Sequence, residues 1–231
     1  SLLQQWSAEH DASNSAGTAI ELRRLSFSYP GGRRALREIN ALIPVGCRLG
    51  IVGPSGAGKS TFLMHLNGLL PATSLDSSDA CGVWIHGEPV LRTSLKQIRQ
   101  RVGFVFQDPD DQLFAATVAD DVAFGPRQHG CDSEETERRV RSSLAAVGLE
   151  QTLAYNPSQL SYGERKRVCL AGVLACQPEV LVLDEPSSNL DPRARRQLMA
   201  ILAALPATLV IATHELDLVL ALCDRVLLVD E

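Results

Sequence analysis

Short apolar runs alternate with polar segments along most of the chain, and this pattern predicts strands that alternate with helices. Val180–Leu183 and Thr208–Ile211 are continuous apolar runs, which are typical of strands covered on both faces. Helical patterns cover Gly163–Ala175 and Ala194–Leu205. The alternation favours a parallel sheet with right-handed crossovers, so the predicted fold class is α/β. Further strands are predicted at residues 20–27, 36–43, 47–52, 82–87 (with a turn), 102–106 and 226–229, further helices at 62–66, 118–123 and 216–222, and a loop at 71–79.

Two parts of the chain depart from this alternation. Residues 1–18 are polar and small without a period, so we interpret them as a flexible tail or linker. Residues 108–160 carry no strong strand pattern and are predicted to form a helical subdomain inserted in the core of a domain that covers residues 19–231. Within that insertion, Asp132 is the expected N-cap of a helix and Gly148 its expected end.

Composition narrows the class of protein. The 231 residues, 45% of them hydrophobic, suffice for one α/β domain with a small subdomain. A net charge of −5 argues against nucleic acid as the main partner, and we interpret the basic clusters at 138–141, 165–167 and 193–196 as solvated helix faces. Six scattered cysteines without C-x-x-C spacing favour reduced thiols in a reducing compartment. No apolar run approaches the length of a membrane span, so a membrane function would need another chain.

The segment between the strand ending at Val52 and the helix near Phe62 matches a phosphate-binding P-loop. Its glycines let backbone N–H groups turn towards phosphate oxygens, and the following helix N-terminus adds a favourable dipole. Lys59 is predicted to contact the β- and γ-phosphates of a nucleotide, and the Ser60 hydroxyl to bind Mg²⁺. The alternative is a glycine-rich turn before a lysine, which the flanking strand and helix disfavour. The predicted nucleotide-binding residues of this segment are Gly53, Pro54, Ser55, Gly56, Ala57, Gly58, Lys59, Ser60 and Thr61.

Two consecutive acids, Asp184 and Glu185, follow the apolar strand Val180–Leu183. Both are expected at the carboxyl edge of the sheet, where open α/β folds bind ligands. Asp184 suits the binding of Mg²⁺, and Glu185 is placed to polarise an attacking water as general base. A strand followed by an acidic turn is the alternative, but the P-loop makes nucleotide hydrolysis the better interpretation.

The segment Leu160-Ser161-Tyr162-Gly163-Glu164 resembles the signature motif of ATP-binding-cassette (ABC) ATPases. The resemblance covers most of residues 20–231 and implies a P-loop ATPase core with a parallel sheet, an antiparallel β subdomain and a helical subdomain. It also implies a dimer, in which Ser161, Gly163 and Glu164 of one chain cap the γ-phosphate at the P-loop of the other. Taken alone, Ser-x-Gly-Glu is usually a helix cap. Tyr162 and Glu164 depart from the commoner Gly and Gln.

Four other residues match motifs of the same family one at a time. Tyr29 resembles the aromatic residue that stacks on adenine, and Gln107 the Q-loop glutamine that contacts Mg²⁺ and the water. Asp191 resembles the D-loop aspartate that reaches across the dimer interface. His214 resembles the switch histidine that contacts the γ-phosphate. Without the family, an aromatic residue is more often core and a lone histidine more often structural.

Residues 104–114 and 117–126 are very similar to the Q-loop region of energy-coupling-factor (ECF) importer ATPases. In that family this region lines a groove for a membrane T-component, and Asp110 and Asp111 could meet its basic residues. Residues 191–193 and 205–206 are not diagnostic by themselves, but together with residues 213–215 and 222–226 they look most like the cobalt/nickel branch. The resemblance implies ATP and Mg²⁺ as cofactors, a second ATPase chain as partner, and a peripheral position on the cytoplasmic face of the membrane.

Other functions remain open on the sequence. The chain could serve another ABC importer, for a vitamin or another substrate, or an exporter. It could also be a soluble ABC protein without a transport role, although it has a single cassette and an acidic balance. A P-loop kinase is disfavoured by the signature motif and by Asp184-Glu185. Neighbouring genes or co-purifying membrane subunits would separate these functions.

Overall fold

Nine strands in two sheets and seven helices make up the described part of the chain, residues 17–70 and 81–229 of a computed structural model. The strands are β1 Thr18–Ser28, β2 Arg34–Pro44, β3 Arg48–Val52, β4 Gly82–Ile85, β5 Glu88–Pro89, β6 Val102–Val105, β7 Val180–Asp184, β8 Thr208–Thr213 and β9 Arg225–Leu228. The helices are α1 Lys59–Leu66, α2 Leu95–Arg101, α3 Val118–Gln128, α4 Ser133–Ala146, α5 Tyr162–Leu174, α6 Pro192–Ala204 and α7 Leu216–Leu222. The predicted loop at 71–79 and nearly all of the predicted tail at 1–18 lie outside the described residues.

A parallel sheet with the strand order β6-β7-β8-β3-β9 forms the centre of the fold. Val182 of β7 lies between Phe104 of β6 and Val210 of β8. All residues of β7 are buried, as a continuous apolar run predicts for a strand with helices on both faces. Because the strands are parallel, the loops after β3, β6, β7 and β8 leave the sheet at one edge. The predicted α/β fold is confirmed.

A second, antiparallel sheet has the order β2-β1-β4-β5. It covers one face of the parallel sheet, and α1 lies in the same hydrophobic cluster, in which Ile20, Ile43, Ile51 and Phe62 are fully buried. Burial of such side chains from water is the main favourable term in folding. The P-loop therefore leads from a buried strand into a buried helix, which fixes both of its ends.

The region 108–160 contains α3, α4 and three single turns of 3₁₀ helix, and no strand among these described residues. Val122 and Leu144 are fully buried in a second cluster that continues through α5 to the other face of the parallel sheet. The helix α4 begins as predicted, since Oδ1 of Asp132 accepts a hydrogen bond of 2.8 Å from the Glu135 N–H. The treatment of this region as a separate subdomain stays a prediction.

The elements α2 and β5 were not anticipated by the sequence pattern. Helix α2 has seven residues, and only Ile98 among them is buried, so its apolar period is too short to recognise. The two residues of β5 extend the antiparallel sheet through pairing with β4. Within residues 17–70 and 81–229, no helix combines the length and apolar character that a membrane crossing requires.

Candidate active site

The P-loop between β3 and α1 is held close to neighbouring backbone. A side chain at Gly53 would place its Cβ 2.3 Å from the carbonyl oxygen of Val229. Gly58 has φ +93°, and a Cβ there would lie 2.7 Å from the carbonyl oxygen of Ala35. Both positions therefore require glycine, because any larger residue would force the backbone apart.

Lys59, the first residue of α1, is buried with its ammonium group at the mouth of the loop. Its Nζ donates hydrogen bonds to the carbonyl oxygens of Gly53 (2.8 Å) and Pro54 (3.1 Å). The same atom lies 3.7 Å from Oε1 of Glu185, so the loop after β7 faces the P-loop. The structure thus brings together the lysine and the glutamate that the sequence assigned to one site.

A cavity of about 260 Å³ lies over the P-loop, between this loop and the turn that joins β1 to β2. The Tyr29 hydroxyl is 2.8 Å from Oγ1 of Thr61, and its ring packs edge-on against Phe27. Arg33 donates a hydrogen bond of 3.0 Å to the Gly56 carbonyl oxygen. Tyr29 therefore lies beside the phosphate loop with 38% of its surface exposed, which leaves ring surface available to a ligand. The cavity is lined by Tyr29, Arg33, Ala35, Gly56, Gly58, Lys59, Ser60 and Thr61.

Asp184, the last residue of β7, fits the role of a magnesium ligand. The residue is 5% exposed, and within the described residues its Oδ1 has no hydrogen-bond partner. Burial raises the pKa of this carboxyl group, and a hydrogen bond with Ser60 partly offsets the increase. A buried carboxylate oxygen without a partner, next to a serine hydroxyl, is the oxygen donor set that Mg²⁺ prefers.

Glu185 follows directly and adopts an unusual backbone conformation, with φ 43°. Its N–H donates a hydrogen bond of 2.8 Å to the carbonyl oxygen of Ala212 in β8. Its Oε2 lies 2.9 Å from Nδ1 of His214, which follows β8. Because an ionised carboxylate only accepts hydrogen bonds, Nδ1 must carry the proton in this pair. A left-handed conformation is costly for a residue with a side chain and is typical of functional sites.

Gln107 is exposed and follows β6 by two residues. Since Val105 of β6 pairs with Leu183 of β7, Gln107 leaves the sheet at the edge where Asp184 ends its strand. The predicted Q-loop glutamine is therefore placed on the same side of the sheet as the P-loop and the acidic pair.

The signature segment caps the N-terminus of α5. The Ser161 N–H and hydroxyl donate to Oε2 of Glu164 at 2.8 and 2.6 Å, and these bonds lower the pKa of that carboxyl group. At Gly163 a Cβ would lie 2.8 Å from Cβ of Ala194, so glycine permits close packing of α5 on α6. Asp191 caps α6 by accepting from two backbone N–H groups. Neither the signature residues nor Asp191 line the cavity over the P-loop of the same chain.

The interpretation of residues 165–167 as a solvated helix face is wrong for two of the three residues. Lys166 is 4% exposed and Arg167 is 9% exposed. Nζ of Lys166 donates to the carbonyl oxygens of Glu185 (2.9 Å) and Pro186 (3.0 Å) and to Oγ of Ser188 (3.0 Å). Sequence reasoning missed this residue because a basic run on a helix gives no sign of burial when its acceptors lie about 20 residues away.

A P-loop that faces a buried Asp-Glu pair defines a nucleotide hydrolase. Comparison with known proteins narrows the class further, because a family model described as ABC transporter matches residues 36–188, more than half of the chain. The chain belongs to this family. It is an ATPase that uses ATP and Mg²⁺.

The chain is similar to ATP-binding subunits of ECF transporters. The energy-coupling factor transporter ATP-binding protein EcfA of Methanocaldococcus jannaschii is 45% identical over 90% of this chain and 74% of its own length. Among solved structures, cbiO1 of Clostridium perfringens, part of the ABC transporter complex cbiONQ, has a TM-score of 0.79 and 36% identity over 92% of this chain and 84% of its own. A dimeric ATP-binding cassette bound to ADP and Pi in a post-hydrolysis state has a TM-score of 0.80 and 27% identity over 91% of this chain and 94% of its own.

Proposed function

We propose that this chain energises an ECF-type importer, with cobalt or nickel ions as the transported substrate. In this proposal the chain sits peripherally on the cytoplasmic face of the membrane and binds a membrane T-component. The observation that carries the proposal is an apolar groove beside the Q-loop, described below. The cobalt/nickel branch is supported by the resemblance of residues 191–193, 205–206, 213–215 and 222–226 to that branch. The similarity to cbiO1, part of the ABC transporter complex cbiONQ, supports the transport role.

In this proposal, ATP is hydrolysed at the carboxyl edge of the parallel sheet, where the P-loop faces the loop after β7. Lys59 and the loop N–H groups bind the β- and γ-phosphates, while Ser60, Asp184 and Gln107 are the residues that would hold Mg²⁺. When bound there, Mg²⁺ would neutralise charge on the phosphate oxygens. Glu185 accepts a proton from the attacking water as the new P–O bond to the γ-phosphorus forms. The bond from the γ-phosphorus to the β–γ bridging oxygen breaks, and the products are ADP and phosphate. The Nδ1–H of His214 fixes the orientation of this carboxylate, which supports its role as base.

A complete site requires a second copy of the chain or a paralogue. Ser161, Gly163, Glu164 and Asp191 lie outside the cavity over their own P-loop, and they are proposed to complete the site of the partner chain. The N-terminus of α5, with the Ser161 hydroxyl, suits contact with a γ-phosphate. The described dimeric state of the ADP- and Pi-bound relative supports this arrangement.

The groove beside the Q-loop has a volume of about 430 Å³ and lies between β6, α3 and α5. The rings of Phe114 and Phe124 line it, are 69% and 47% exposed, and pack edge-to-face with centroids 5.0 Å apart. Phenylalanine, like the other aromatic residues, is enriched at protein interfaces relative to the rest of the surface. Asp110 is paired with Arg165 at 2.7 Å, so Asp111 is the acid left to face a basic residue of the partner.

Co-purification with the proposed membrane component tests this assignment. The double variant Phe114→Ser/Phe124→Ser is expected to keep the ATPase activity of the isolated subunit but to bind the membrane component at least about tenfold more weakly, a loss of roughly 1.4 kcal/mol. The matched control is Leu220→Ser, since Leu220 on α7 is 84% exposed and remote from the groove. If the double variant forms as much complex as the wild type, the groove is not the surface that binds the membrane component. Co-purification with ribosomes instead would favour a non-transport ABC protein.

A further inference from the structure

Lys166 lies on α5, the helix that begins at the signature segment and is called the signature helix below. Its side chain links this helix to the loop that carries Glu185. Its ammonium group has three acceptors, the carbonyl oxygens of Glu185 and Pro186 and the hydroxyl oxygen of Ser188, all within 3.0 Å. Three acceptors match the three N–H donors of a lysine ammonium. Burial lowers the pKa of Lys166 to about 8, so the fold keeps this cation against a desolvation cost.

These hydrogen bonds hold the backbone of Glu185 in its left-handed conformation. The Glu185 carbonyl oxygen accepts from both Lys166 and the Ser188 hydroxyl (2.8 Å), while its N–H is bound to Ala212 in β8. The peptide groups on both sides of Glu185 are therefore fixed. Since the side-chain direction depends on φ, the contact between its carboxylate and His214 depends on these bonds.

Tyr162, a residue of the signature segment, also contacts the ammonium group of Lys166. Its ring centroid lies 5.6 Å from Nζ of Lys166, within the range of a cation–π contact. The ring belongs to the first turn of α5, one turn before Lys166. A displacement of the signature turn would therefore act on the ammonium group that holds Glu185.

We propose that Lys166 is a positioning residue, which aims the Glu185 carboxylate for hydrolysis and couples that aim to the signature helix. The inference rests on the proposed role of Glu185 as base. The P-loop contacts with the phosphates do not involve Lys166, so its loss is expected to affect turnover and to spare ATP binding.

The test is steady-state ATPase kinetics with ATP binding measured by calorimetry on the full chain. Lys166→Met removes all three donors and keeps an apolar stem of similar length. We expect kcat to fall at least about tenfold, because a displacement of about 1 Å at a catalytic group can cost 100-fold. The KM and the Kd for ATP should change less than about threefold. Lys166→Gln, which retains two N–H donors, should recover part of kcat. Lys96→Met is the control, since Lys96 is exposed on α2.

Three outcomes would overturn the proposal. They are a folded Lys166→Met with wild-type kcat, a raised KM at unchanged kcat, and no recovery by Lys166→Gln. If Lys166→Met does not fold, Ser188→Ala is tested in the same assay, because the Ser188 hydroxyl is a partner of both Lys166 and the Glu185 carbonyl oxygen. A Ser188→Ala variant with the kcat of the wild type would refute the positioning role of Lys166.

Glu185→Gln, assayed in parallel, separates this inference from the proposed function. An active Glu185→Gln would mean that the base assignment is wrong. An inactive Glu185→Gln with a fully active Lys166→Met would refute the role of Lys166 alone.

Discussion

Glu185→Gln is the substitution whose result the site geometry predicts in most detail. The amide has the shape of the carboxylate, so its oxygen can still accept the Nδ1–H of His214 that lies 2.9 Å away in the wild type. It cannot accept a proton from water, however. Loss of a general base costs about 10²–10⁴-fold in kcat, which corresponds to about 3–5 kcal/mol of transition-state stabilisation.

The same substitution removes a negative charge 3.7 Å from the Lys59 ammonium. At an effective dielectric constant of about 20, that attraction is on the order of 4 kcal/mol before desolvation is subtracted. Lys59 keeps its hydrogen bonds to Gly53 and Pro54, so we expect the loop to persist. Repulsion between Glu185 and the γ-phosphate disappears, and ATP affinity should therefore stay equal or increase.

Phosphate release measures kcat, calorimetry measures the Kd for ATP, and light scattering on a sizing column measures the dimer. We expect a turnover defect, undiminished ATP affinity and a dimer that persists in the presence of ATP. Glu179→Gln is the control, because Glu179 lies at the other end of β7 and its side chain is 51% exposed. Turnover by Glu185→Gln within about threefold of wild type would refute the assignment of the base.

Two further substitutions address the phosphate and dimer contacts. Lys59→Ala should weaken ATP binding at least about tenfold, because the buried ammonium at the loop mouth is lost; calorimetry measures it, and an unchanged Kd would contradict the P-loop assignment. Asp191→Asn keeps an effective cap on α6 but removes the charge proposed to reach the partner chain, so thermal stability should hold while ATP-dependent dimerisation weakens; an unaltered dimer would remove Asp191 from the interface.

The candidate site could be located from the sequence because local patterns carry its proposed chemistry. The P-loop needs glycine at positions that approach other backbone, such as Gly53 and Gly58, and this requirement is visible in the sequence. The position of Asp184-Glu185 followed from an apolar strand that ends at two acids. Parallel strands bring their ends to one edge, which places His214 near Glu185, but the hydrogen bond between the two side chains was not predicted from the sequence.

Other features depend on contacts that the sequence does not reveal. Lys166 is buried only because the carbonyl oxygens of a distant loop accept its hydrogen bonds. Asp110, predicted to meet a partner, is paired with Arg165 of the signature helix, 55 residues away. Helix α2 buries only Ile98, so its sequence has no apolar period from which a helix could be predicted.

Complementation between two inactive chains tests the composite site most directly. Lys59→Ala disables the P-loop, and Ser161→Asp adds a negative charge to the signature while aspartate can still cap α5. In a mixed dimer the wild-type P-loop of one chain faces the wild-type signature of the other. Mixing the two variants should therefore restore ATPase activity to at most roughly a quarter of wild type, since half of the dimers are mixed and each has one intact site. Mixed dimers that form but remain as inactive as either variant alone would contradict the account.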